Sequence, residues 1–194
     1  MAVARCMGLD DSSTELLRYA GILHDIGKIA IDLSVLAKPG PLTREEVDRL
    51  REHPVIGEQI LKPIAFLAAA RLPIRRHHER YDGGGYPDGV GGSDLTLETR
   101  ILTVADCYEA MTGRRSYRPT WSHERAVAEL RRCAGTQFDP KVVAAFAQIP
   151  PDDVPRLRDA LNPLEPAALN PMGGALREEA LDLIEPAGTG LYRQ

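Results

Sequence analysis

Residues 77 to 87 read His77-His78-Glu79-Arg80-Tyr81-Asp82-Gly83-Gly84-Gly85-Tyr86-Pro87, and this run constrains the fold more than any other part of the chain. Adjacent side chains on a helix point about 100° apart, so two neighbouring imidazoles at a helix end can each serve a different metal ion. The Asp-Gly-Gly-Gly segment must leave that helix through backbone conformations that glycine adopts cheaply, and Tyr86-Pro87 then stiffens the exit. The pattern places a tyrosine beside two histidines.

The remaining sequence reads as helices punctuated by turn residues. Met1 to Leu9 is expected to be the end of a helix stopped by Gly8. Ser12 or Ser13 is expected to cap the next helix, whose Leu16, Leu17, Ala20 and Leu23 recur at helical spacing and deliver His24-Asp25 at its end. Residues 29 to 42, with Lys38-Pro39-Gly40-Pro41, read as a loop. Thr43 and Glu46 form a capping box for a helix that His53 closes, and Pro54 suits the first turn of another helix to about Leu61. Pro63 and Pro73 bracket the helix or helices that reach His77. Leu97, Ile101, Val104, Ala105, Tyr108 and Met111 mark one face of a long helix ending near Gly113, with Asp106 on its flank. Arg114 to Pro119 is a basic loop, Ser122 caps a helix to about Cys133, and Asp139-Pro140 opens a short one through Ala147. No stretch reads as a strand. Seven prolines from Pro150 onward make the last 45 residues a loosely packed tail with one short helix around Leu176 to Ile184.

Composition narrows the partners. With 194 residues, 43% of them hydrophobic, the chain suffices for one domain and an appendage, and a net charge of -4 offers no broad basic surface to duplex nucleic acid. Cys6, Cys107 and Cys133 are odd in number and lack zinc-type spacing, which suits small core positions in a reducing cytoplasm. No apolar run approaches the roughly 18 to 20 residues that span a bilayer, and Met1 to Leu9 lacks the apolar core of a signal peptide. The expectation is a soluble, cytoplasmic protein with no membrane partner; the sequence leaves its oligomeric state open.

Polar residues gather at the helix ends. His24, Asp25, Lys28, His53, His77 and His78 lie at such ends or just after them, and Asp106 lies within a later helix. Imidazole with carboxylate suits iron, manganese or zinc, whereas three scattered cysteines form no thiolate site. Two ions roughly 3.5 to 4 Å apart can together stabilise the attacking and leaving oxygens of an in-line phosphoryl displacement, with a carboxylate such as Asp25 bridging them. Lys28 can reach a non-bridging phosphate oxygen, and Arg115 with Arg118 can clamp phosphate or a guanine edge. Blander readings stand beside these: a solvated basic loop for the arginines, a turn tyrosine packed on the core for Tyr86, and an ordinary structural histidine for His123.

Several ordered motifs now coincide: His24-Asp25-Ile26-Gly27-Lys28, Lys38-Pro39-Gly40, His53-Pro54, residues 77 to 87, and Arg100-Ile101 with Val104-Ala105-Asp106. Arg115 with Tyr117-Arg118-Pro119 and Gly135-Thr136-Gln137-Phe138-Asp139-Pro140 continue the series. Over roughly residues 3 to 147 the chain resembles an HD-GYP domain of the HD phosphohydrolase group. The resemblance implies an all-α HD-domain helical bundle over residues 1 to 147 with a glycine-rich GYP loop, followed by the tail at 148 to 194. It implies hydrolysis of the bacterial messenger cyclic di-GMP at a two- or three-metal centre, commonly of iron or manganese. By position, His24, Asp25, His53, His77, His78 and Asp106 would be metal ligands, Asp25 the bridging one and a catalytic residue with Lys28. Lys28, Tyr86, Arg115 and Arg118 would contact substrate, and the GYP loop would dock diguanylate cyclase-type proteins.

The chain departs from the family pattern twice. The family carries a further metal-binding histidine, and in trinuclear members a glutamate, on a helix before the His-Asp pair, and this chain starts after their expected position. Where the family usually has Ile-Pro-Asp, this chain has Ile31-Asp32-Leu33, which shifts an acid near the site. The leading expectation is a phosphodiesterase giving pGpG and in some cases GMP, as part of second-messenger signalling. The alternatives are a degenerate module that acts as a cyclic di-GMP receptor or docking partner without turnover, and a hydrolase for another nucleotide.

Overall fold

A computed structural model of the chain describes residues 2–113 and 120–150, and every helix or strand segment named within them is helical. In order these are α1 (Ala2–Cys6), α2 (Asp11–Leu23), a 3-10 turn (Ile26–Ala30), α3 (Leu33–Leu36), α4 (Arg44–Leu50) and α5 (His53–Leu61). After them come α6 (Arg71–Arg76), α7 (Leu97–Thr112), α8 (His123–Arg132) and α9 (Pro140–Phe146), with short 3-10 turns at Ala65–Leu67 and Gly92–Asp94. The all-α expectation holds: among the described residues the nearest approach to a sheet is an isolated bridge between Ala134 and Phe138. Arg115, Arg118 and the helix expected around Leu176 to Ile184 lie outside the described residues.

Side-chain caps set most of the boundaries. Thr43 and Glu46 form the expected reciprocal box at α4, and Ser122 and Asp139 cap α8 and α9 as their sequence positions suggest. The cap of α2 is Asp10 rather than Ser12 or Ser13, because Asp10 Oδ1 accepts both the Ser13 N–H (2.8 Å) and the Ser12 hydroxyl (3.0 Å). His53 does not close α4 but opens α5. Pro54 has no N–H to extend the earlier helix, so the chain turns at Arg51-Glu52 and starts again with proline in the new first turn. Pro73 likewise falls inside the first turn of α6, where an N–H is dispensable, instead of outside the helix.

The stretch at 29 to 42 is not simply a loop. Asp32 accepts the Ser34 N–H at 2.7 Å and nucleates α3, which buries Val35 and Leu36. The shifted acid of Ile31-Asp32-Leu33 is therefore a helix cap. Helix α7 is the central element, packed against α2, α6, α8 and α9. Being surrounded, it buries Thr99, Leu102, Thr103, Cys107 and Ala110 beyond the expected stripe, while Ala105 faces outward. No described helix is long and apolar enough to cross a membrane.

One close approach positions the site. A Cβ built on Gly27 would lie 1.9 Å from the His53 carbonyl oxygen and 2.6 Å from the Gly57 nitrogen. Only glycine lets the 3-10 turn sit directly on the first turns of α5. That contact brings Asp25 and Lys28, which flank Gly27, against His53.

Candidate metal centre

Three histidines at helix ends are oriented by the same local device. His24 is the C-cap of α2, His53 opens α5 and His77 is the C-cap of α6. In each, Nδ1 lies close to the carbonyl oxygen three residues earlier: Gly21 at 2.8 Å, Leu50 at 2.7 Å and Ile74 at 2.6 Å. A carbonyl can only accept, so Nδ1 carries a proton in each and Nε2 is the nitrogen left to face the cluster. Such backbone orientation of an imidazole is the usual support of a metal-binding histidine. Thr103 steadies the His77 main chain from α7, its hydroxyl lying 2.9 Å from the His77 oxygen and 3.0 Å from that of Thr99.

The Nε2 atoms converge. His53 Nε2 and His77 Nε2 face each other at 3.4 Å, and candidate donor atoms of His53, His77 and His78 all lie within 4.8 Å of one another. Asp25 spans the group, with Oδ1 3.4 Å from His53 Nε2 and Oδ2 3.4 Å from His24 Nε2. Asp106 Oδ1 reaches His24 Nε2 at 3.6 Å from α7, and the Lys28 ammonium pairs with Asp25 Oδ1 at 2.7 Å. All six expected ligands and Lys28 are thus brought together. Tyr86 lies beside them, its ring stacked on His78 with centroids 4.9 Å apart and planes 20° from parallel.

The charge states are set by burial and by neighbours. Burial, then the nearby His77, pushes His53 down to about 3; burial, then the charge on His24, pushes His77 down to about 4. His78 is driven well below the ordinary range by burial and by the imidazoles around it. For His24 burial also opposes the charge, but Asp25 and Asp106 outweigh it and raise the group to about 9. Burial opposes the charge of both carboxylates as well, yet both stay below their usual range, Asp25 through His24 and Lys28 and Asp106 through its hydrogen bond with His24.

This donor set fits a divalent cation. At neutral pH, His53 and His77 point lone pairs at each other across 3.4 Å with both Nδ1 protons committed elsewhere. Such a contact is repulsive unless a cation lies between the nitrogens, and two ionised carboxylates adjoin it. Neutral imidazoles and carboxylates are the ligand forms that iron, manganese and zinc require.

Some participants carried no sequence signal of their own. The carbonyls of Gly21, Leu50 and Ile74 act only through their position three residues before each histidine. Arg51, whose guanidinium carbon lies 5.3 Å from the Tyr86 ring centroid, belongs to no motif. His123 has the structural role expected of it, its Nδ1 3.0 Å from the Tyr108 hydroxyl.

Known proteins show which family the chain resembles. A family model described as HD domain matches residues 1–142. The cyclic di-GMP phosphodiesterase response regulator RpfG of Xanthomonas campestris is 43% identical over 146 residues, covering 74% of this chain and 39% of that protein. The 3'3'-cGAMP-specific phosphodiesterase 3 of Vibrio cholerae is 38% identical over 145 residues, covering 74% of this chain and 31% of that protein. The chain thus spans well under half the length of these relatives. Among solved structures, Bd1817, an HDG"Y"P protein from Bdellovibrio bacteriovorus, superposes with a TM-score of 0.60 at 19% identity over 80% of this chain and 48% of its own, a likeness of fold. By the matched family model, the chain belongs to the HD domain family.

Proposed function

We propose that the chain is a metal-dependent phosphodiesterase unit that opens cyclic di-GMP at one phosphodiester, giving linear pGpG. The observation that carries this reading is the pair of facing imidazole nitrogens, His53 Nε2 and His77 Nε2 at 3.4 Å, flanked by Asp25 and Asp106. Iron or manganese held by His24, Asp25, His53, His77, His78 and Asp106 would supply Lewis acidity, activating water and offsetting the negative charge of the scissile phosphate. Asp25, within 3.4 Å of imidazoles on two sides, would be the carboxylate shared if two ions are held.

The chain's own residues do the rest. Lys28 donates to a non-bridging oxygen of the scissile phosphate, and the Gly27 contact keeps it at the mouth of the cluster. Tyr86 forms one wall of the substrate pocket on top of His78. Arg115 and Arg118 bind the second phosphate or a guanine edge. The loop carrying Tyr86 also offers a surface for a diguanylate cyclase-type protein. Relatives named for cyclic di-GMP and for 3'3'-cGAMP both support a cyclic dinucleotide as the substrate class.

The test is turnover of both dinucleotides by the purified chain with added manganese or ferrous iron. Cyclic di-GMP is expected to be cleaved. His77→Ala is expected to lower bound metal and turnover together by at least about 100-fold, since removal of even a supporting residue costs 10- to 100-fold. Nucleotide bound without any product would replace this reading with that of a receptor.

A further inference from the structure

Glu79 directly follows the two histidines, and the cluster does not use it. It is 1% exposed, almost fully enclosed for an acidic residue. Its Oε1 accepts the backbone N–H groups of Asp88 at 2.6 Å and Gly89 at 3.0 Å, just beyond Tyr86-Pro87. Asp88 is gripped on its other side too. Its carboxylate takes a two-pronged contact from Arg75 (Nη2 to Oδ1 2.7 Å, Nε to both oxygens 3.1 Å) and another from Arg76 Nε at 2.9 Å. Arg75 is itself fixed by Glu58 of α5, at 2.9 Å.

Main chain and side chain of one loop residue are thus held from two directions. The loop between is folded back tightly: a Cβ on Gly85 would lie 2.4 Å from the Arg80 nitrogen and 2.5 Å from the Glu79 Cα, and the Tyr86 N–H reaches the His78 oxygen at 3.3 Å. The segment from His78 to Gly89 is therefore a closed ring, with Glu79 as its internal strut and Tyr86 resting on His78 inside it.

We propose that Glu79 is a positioning residue for the cyclic dinucleotide: by anchoring the amides of residues 88 and 89 it fixes Tyr86 against His78, and so sets substrate affinity without itself touching metal or nucleotide. The inference rests on the phosphodiesterase reading for its substrate, but the anchoring itself does not. Glu79 Oε2 is buried with no hydrogen-bond partner, so only Oε1 carries the contact to the two amides. A glutamine at 79 would keep an accepting oxygen for the two amides at the same length of side chain. Glu79→Gln is therefore the variant that should preserve the strut, and Glu79→Ala the one that removes it.

The experiment measures three things on the metal-loaded chain and its variants: amide hydrogen exchange across residues 83 to 92, metal content, and the KM and kcat for cyclic di-GMP. In Glu79→Ala, exchange at 88 and 89 and KM are each expected to rise about tenfold or more, with kcat within about threefold of the parent and metal content unchanged. Glu79→Gln is expected to stay within about twofold of the parent on every measure. Should Glu79→Ala fail to fold, Asp88→Ala removes the outer grip from the partly exposed side and is expected to shift exchange and KM in the same direction by a smaller factor. Parental exchange and KM in the alanine variants would overturn the proposal, as would metal loss in proportion to the rise in exchange. A parent chain without turnover would instead defeat the phosphodiesterase reading, and the exchange at 88 and 89 would still decide the anchoring.

Discussion

At the scale of single residues, the cluster is a set of neutral bases around one proton. With His53, His77 and His78 pushed down and His24 raised to about 9, His24 is the group that carries a proton when no metal is bound. The sign follows directly. The His24 pKa is raised above its ordinary value near 6.5, so its contribution to stability is complete below that pH and disappears as pH climbs through about 9. A metal ion must displace that proton. Apparent metal affinity is therefore expected to rise by about tenfold per pH unit from 6.5 toward 9 and then level off, with about one proton released per site in weakly buffered titrations. Affinity independent of pH over that range would contradict the assignment of His24. These bases were legible as residue types in sequence, because adjacent histidines and a His-Asp pair at helix ends have few structural uses. Their tautomers were not, since they depend on carbonyls of Gly21, Leu50 and Ile74 that any residue could provide.

Among elements, the decisive contact is the 3-10 turn Ile26–Ala30 lying on α5. Gly27→Ala would drive a methyl to 1.9 Å from the His53 oxygen, and backbone cannot yield as a flexible side chain does. The variant is expected to lose about 3 kcal/mol of stability, the upper end of overpacking costs, and to lose metal binding because Asp25 and His53 move apart. Chemical denaturation with parallel metal analysis checks this; a stable Gly27→Ala chain with full metal content would show that the contact does not position the site. The helices were largely readable from capping residues and periodicity. The errors fell where a proline or an acid does something local. His53 opens α5 instead of closing α4, Pro73 lies inside the first turn of α6, and Asp10 and Asp32 cap helices where the sequence suggests a serine or a loop. The width of the buried face of α7 was not readable either, because it reflects packing on several sides at once.

Across the whole molecule, the cluster joins the end of α2, the following turn, α5, α6 and α7. An ion bound there ties them together and should stabilise the native chain by mass action, by about 2.7 kcal/mol at a free concentration 100 times the dissociation constant. For a chain of this length that is a rise in melting temperature of roughly 5 to 10 °C, reversed by chelation. Calorimetry with and without manganese measures it, and a melting temperature indifferent to metal would exclude a structural link through the cluster. The family was readable in sequence because its motifs are ordered along most of the described chain. The substrate was not, since relatives named for two different cyclic dinucleotides match nearly equally well.

The central claim, that imidazoles and acids from five elements share a metal centre, is tested most directly by anomalous diffraction from crystals grown with manganese. The expected result is a peak about 2 Å from both His53 Nε2 and His77 Nε2 and in contact with Asp25, their 3.4 Å separation being what two nitrogens at that bond length span at a roughly tetrahedral angle. Saturating manganese with no peak among His24, His53, His77 and Asp106 would contradict it.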